Sequence, residues 1–415
     1  MRATLTLATL AGCWSTPSPP PATAPPRQVE TKLASCPVDP PIQTPQALRL
    51  VRWLGPVGDR SWVIAERARG AAAVIGLARD GTLLEIPLAA APHATHVDGT
   101  RLWLATPNDK RIALTGLDLA ADRPEVVARG TLDAPYVRAI AVGATRVLAD
   151  VSGPNLQLRL HDRAGAPAGK LVEIVSTSLE PAALSCEGDR CFALAVEGDG
   201  PSRRLFVERF APDGRTEHQQ LAGDHLAAYR LAVIDARRFA LWTSYSASGV
   251  FARELDASGH PLGERTRIFL APERSTDFEV ITSHIAVHMR DGWSVGTFDP
   301  RRLRLGALAA TGLPRDSSFL TAAPLPDGLV TVGFTSSVDD QHGFHAWSGR
   351  VDAAFLGAGD TAEPALRLAS GSGAGRGGIA GFPLVAPGHA AVLVLPQGPE
   401  SPPGGELVTL RRPCR

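Results

Sequence analysis

Short apolar runs alternate with polar turns along most of this chain, and the pattern recurs. A turn followed by an apolar strand appears as Asp59-Arg60-Ser61-Trp62-Val63-Ile64 and as Asp98-Gly99-Thr100-Arg101-Leu102-Trp103. It returns at Gly143 to Leu148, Glu187 to Phe192 and Asp235 to Ala240. The arginines opening these strands are Arg60, Arg101, Arg146, Arg190 and Arg238, spaced by 41, 45, 44 and 48 residues. Later copies keep the shape without the arginine, as at Ser283-His284-Ile285 and Asp327-Gly328-Leu329. A second marker, a strand ending in a Gly turn, lies further along each unit, as at Asp80-Gly81 and Asp213-Gly214. Glycine supplies the positive φ that tight hairpins need. No window of a dozen residues shows helical periodicity, so each unit is read as about four short strands.

Four strands in a repeat of about 45 residues predict a propeller blade, which must stack on its neighbours to bury both faces. The expected fold class is therefore all-β, a β-propeller of seven or eight four-stranded blades. Eight units are counted, beginning near residues 47, 91, 134, 179, 226, 273, 319 and 372. The last shows three clear strands. Its fourth is expected from the N-terminal segment around residues 29–38, closing the ring with strands from both termini. The propeller is placed at 36–415.

The N-terminus reads differently. A basic start and a short apolar run lead to Leu10-Ala11-Gly12-Cys13, and residues 15–27 are dominated by Pro, Ser, Thr and Ala. The tetrad resembles the lipobox of bacterial lipoproteins. That resemblance implies a signal peptide at 1–12, cleavage before Cys13 and lipidation of its thiol. Residues 13–35 then form the lipidated cysteine and a semi-rigid proline-rich tether. Trp14 follows the cysteine, and the resemblance implies transfer to the outer membrane. The expected location is the cell envelope, on a membrane face left open.

Removing Cys13 leaves four cysteines, which an oxidising compartment allows to pair. Cys186 and Cys191 flank a turn-like tetrapeptide and can face each other across a hairpin. Cys36 and Cys414 sit at the two ends of the folded region, where a bond would pin closure. Lys+Arg and Asp+Glu are both 42, so the chain has no net charge and nucleic acid is not an expected partner. Aromatic residues are only 6 % of the chain, which weakens a stacking platform for sugars or bases.

No catalytic signature emerges. Gly373-Ala374-Gly375-Arg376-Gly377-Gly378 has dinucleotide-loop spacing, but a strand pattern follows where that motif needs a helix. Asp339, Asp340, His342 and His345 form the densest set of possible metal ligands. Polar loops carry such residues without metal, and no metal or cofactor is expected. The five repeated arginines have two readings. They form a guanidinium ring holding an acidic ligand, or each bonds a neighbouring blade's turn. The expected function is a monomeric, lipid-anchored binding or scaffold protein that meets a protein partner or a small ligand. The alternative is a hydrolase or lyase at the channel mouth.

Overall fold

The computed structural model describes residues 42–43, 48–67, 71–151, 155–175, 181–223, 225–270, 277–339, 346–357, 362–374, 377–387, 389–397 and 405–410. The chain divides into two units, 1–32 and 33–415, and every described residue belongs to the second. There the described residues form eight antiparallel sheets arranged as an eight-bladed propeller. Blades 1 to 7 occupy 48–88, 94–132, 137–174, 183–222, 226–269, 278–310 and 319–374. Blade 8 combines 378–410 with 42–43. The helical structure among the described residues is one 3-10 turn, Gly200–Ser202. No helix among them is long and apolar enough to cross a membrane.

Within a blade the strands follow one another as a meander, and first strands of successive blades approach each other around the axis. Strand alternation then sends neighbouring side chains into different seams. In Arg60–Arg67, the second strand of blade 1, Trp62 and Ile64 join a core with Leu102 and Leu104 of blade 2. Val63 and Ala65 of the same strand join Leu384 and Val392 of blade 8. Both faces are buried, so this strand reads as a continuous apolar run. Trp62 fits because Gly76 is its cross-strand partner, and a Cβ there would lie 2.5 Å from the indole. Blade 2 repeats the device with Trp103 opposite Gly116.

The seams between blades 1 and 7 hold separate apolar clusters, whereas blades 7, 8 and 1 share a single one. It runs from Val332 and Phe355 through Phe382 and Leu393 to Leu48 and Ile75. Closure therefore rests on continuous apolar packing as well as on strand pairing.

The closing strand comes from the N-terminal side, as expected. It includes Ile42–Gln43, with Ile42 opposite Leu407 and Gln43 opposite Glu406. The segment 29–38 lies outside the described residues. Cys36 and Cys414 lie outside the described residues, as does Cys13. The Cys186–Cys191 disulfide is formed, joining opposed residues at the first hairpin of blade 4. Blade 6 is irregular. Two short strands, Arg304–Leu305 and Ala309–Ala310, share the edge of Gly292–Asp299.

Candidate functional site

A cavity of about 540 Å³ crosses the propeller axis. Its wall takes Trp53 to Pro56 from blade 1 and Arg230 from blade 5, which are opposite members of an eight-membered ring. Asp277, Glu279 and Trp293 of blade 6, Leu320 and Phe334 of blade 7, and Phe382 of blade 8 complete the main features. The volume falls within the range of about 300–1,000 Å³ common for small-ligand sites.

One side of the cavity is aromatic. Trp53 packs on Phe382 with ring centroids 5.2 Å apart, and Phe382 meets Phe334 at 6.2 Å. Trp293 faces the cavity with its indole N–H donating to Ser317 O at 3.0 Å. The other side is ionic. Arg230 donates to both carboxylate oxygens of Glu279, at 2.9 and 3.4 Å, and to Tyr229 O at 2.9 Å. Asp277 is exposed at the same wall, and no ion pair joins it to another described residue.

The inner strands carry further charges. Arg52 of blade 1 donates to Thr95 Oγ1 at 3.1 Å and to His93 O at 3.3 Å, both neutral acceptors. Burial holds its pKa below the ordinary guanidinium value, with Tyr136 acting the other way. The His93 ring lies against Tyr136 at 4.4 Å. In blade 3, Arg138 bonds Asp150 at 3.0 Å, and Asp150 also accepts from the Ala182 N–H. Burial pushes the Asp150 carboxyl up against the opposing pull of Arg138. His96, opposite Trp103 in blade 2, is pushed down to about 4 by burial, with Asp98 opposing.

Sequence reasoning did not find this axial wall, although a signal exists. Arg52, Arg138 and Arg230 each stand eight residues before the repeated arginine of their own blade, and His93 holds that place in blade 2. Reading the repeat backwards from its turn would have placed four inner-wall residues.

The repeated arginines themselves sit at the opening of second strands, and several reach the following blade. Arg60 is buried, donates to Ala121 O at 3.1 Å and lies 3.6 Å from Asp122. Arg146 donates to Pro212 O of blade 4 at 3.0 Å. In blade 5, Arg237 bonds Pro300 O of blade 6 at 2.6 Å, while Arg238 turns back to Glu187 of blade 4 at 2.8 Å. Arg190 is exposed, and its neighbour Phe192 packs beneath Gly259 of blade 5. Arg101 is exposed beside Arg163, whose pKa is lowered by burial and then by that like charge.

Asp339 ends the strand Gly328–Asp339, while Asp340, His342 and His345 lie outside the described residues. Among the described residues no group of three or more His, Cys, Asp or Glu is placed to hold a metal ion. The Gly373–Gly378 stretch links two strands, and Gly378–Ala386 follows it as a strand. His284 and His288 share the strand His284–Met289, where His288 packs on Trp293 at 4.8 Å.

No protein-family model matches this chain, and no curated protein matches it. Solved structures do. The β-propeller domain of the Trilobed protease from Pyrococcus furiosus, described as having an open velcro topology, aligns at 10 % identity and a TM-score of 0.43. That alignment covers 74 % of this chain and 95 % of the other. Apo AztD from Citrobacter koseri aligns at 12 % identity and a TM-score of 0.47, over 79 % and 90 % of the two chains. The periplasmic gluconolactonase PpgL of Pseudomonas aeruginosa aligns at 18 % identity and a TM-score of 0.36, over 64 % and 84 %. At these identities no activity passes from them to this chain.

Proposed function

We propose that this chain is a lipid-anchored envelope protein that binds a small ligand in its axial cavity. The observation that carries the reading is the charge state of an aromatic-walled cavity. Arg230 is held by Glu279, while Asp277 faces the same space without a cationic partner among the described residues. An aromatic wall beside a free carboxylate suits a ligand with an apolar body and a positive group. Cation–π attraction and one charge-assisted hydrogen bond then act together.

Phenethylamine is a suitable probe, titrated into the full chain by calorimetry. Binding is expected, and Asp277→Asn should weaken it about tenfold, as expected for losing a hydrogen bond between charged groups. Trp53→Ala should weaken it too. Equal affinity in wild type and Asp277→Asn would overturn the reading.

The anchor is a separate part of the proposal, supported by the lipobox at Leu10 to Cys13 and the proline-rich segment after it. Cys13→Ser should release the protein from the membrane fraction. Unchanged membrane association would remove the anchor.

A further inference from the structure

A second pocket, of about 610 Å³, opens at the margin between blades 4 and 5, away from the axial wall. We infer that it is a binding site for a small organic anion with a flat apolar body, such as an aromatic carboxylate. Its floor is aromatic. Trp242 and Phe251 are opposed residues of neighbouring strands, stacked with centroids 5.9 Å apart. Both also belong to the apolar core between the two blades, which fixes the floor in place. The rim is polar. Ser244 Oγ and Ser246 Oγ lie 2.9 Å apart, with His225 and Gly223 beside them.

The cations decide the ligand. Arg265 and Arg267 come from Pro261–Phe269, the outer strand of blade 5, and both line the pocket. Arg267 stands opposite Phe251 in the ladder, and the Arg265 guanidinium lies 5.9 Å from the Phe251 centroid. Neither arginine makes an ion pair with an Asp or Glu among the described residues. That distinguishes them from Arg209, Arg230, Arg237 and Arg350, each of which is matched by a carboxylate. Two guanidinium groups at the edge of an aromatic floor offer donors in fork geometry to one carboxylate. The ring of the same ligand then lies against the exposed part of Phe251, which Trp242 backs from the core. Net charge and shape thus point to the same class of molecule, and the site stands independently of the axial reading.

Calorimetry on the full chain tests this with two probes: phenylacetate, and acetate as the charge without the ring. Phenylacetate should bind, with acetate at least about tenfold weaker because most of the buried apolar area is missing. Arg265→Gln combined with Arg267→Gln should weaken phenylacetate by about tenfold or more, since two charge-assisted bonds are lost. The exposed pair Arg301→Gln with Arg302→Gln removes the same net charge elsewhere and should leave affinity unchanged. Ser246→Asp, which sets a carboxylate beside the two arginines, should also abolish binding. Asp277→Asn should have no effect on phenylacetate, which separates failure here from failure of the axial reading. Equal loss in both double arginine variants, or no phenylacetate binding up to about 10 mM, weaker than a millimolar site would show, would overturn the inference.

Discussion

The axial cavity and the blade 5 pocket are built from the same materials and differ in how charge is balanced. Each has an aromatic wall and at least one arginine. At the axis Arg230 is paired with Glu279, and Asp277 remains. In blade 5, Arg265 and Arg267 remain, with no described carboxylate to match them. Geometry explains the difference. Inner strands from several blades converge at the axis, and there Arg230 meets Glu279 of the next blade. The outer strand Pro261–Phe269 has one neighbour within its sheet, and Arg265 and Arg267 on it meet no carboxylate among the described residues.

Truncating the two walls should separate them most strongly. Phe382 is 2 % exposed and belongs to the closing core of blades 7, 8 and 1. Phe382→Ala is expected to cost about 3–5 kcal/mol. Phe251→Ala should cost less, about 2 kcal/mol, because that ring is 8 % exposed and borders a pocket. Urea unfolding measures both, and equal losses would mean that the blade 5 pocket is as closed as the core.

Acid provides the next largest contrast. Burial lowers His96 from 6.5 to about 4, so the folded state holds this imidazole neutral where the unfolded chain takes up a proton. Stability from His96 is complete above about pH 6.5 and falls as pH drops toward 4, by up to about 3 kcal/mol. His161, also pushed down by burial, acts in the same direction. Unfolding free energy should therefore fall between pH 6.5 and 4, and His96→Gln should flatten that fall. Equal pH slopes for wild type and variant would contradict the assignment.

Charge removal gives the smallest and most selective effect. Arg230→Gln leaves Glu279 unmatched at a half-exposed pair and should cost about 1 kcal/mol. Arg265→Gln breaks no ion pair and should change stability by less than about 0.5 kcal/mol. Thermal unfolding of the two variants tests this, and equal losses would show that Arg265 has a partner.

Much of the fold was legible because a blade repeats its turn chemistry. The Asp-Gly and Gly-Asp turns before Arg101 and Arg190 marked second strands, and the structure places strands beginning at both arginines. Closure by an N-terminal strand was legible because the last unit shows only three strands of its own, and Ile42–Gln43 supplies pairing there. Blade 6 splits its outer strand, which no turn signal announced. The cavities were not legible. Trp53, Arg230, Asp277 and Phe382 are far apart in the chain, and only the ring brings them together. The inner arginines were readable in principle from their fixed distance to the repeated arginine. What their charges meet depends on the neighbouring blade, and sequence order does not show that.

Selection of oppositely charged ligands by the two pockets would be visible in a single diffraction experiment. Crystals of the protein would be soaked separately with 4-iodobenzoate and with 2-(4-iodophenyl)ethylamine, and the iodine located by its anomalous signal. The carboxylate's iodine is expected beside Phe251 in blade 5, and the amine's iodine against Trp53 at the axis. The reverse placement, or both compounds in the same pocket, would contradict it.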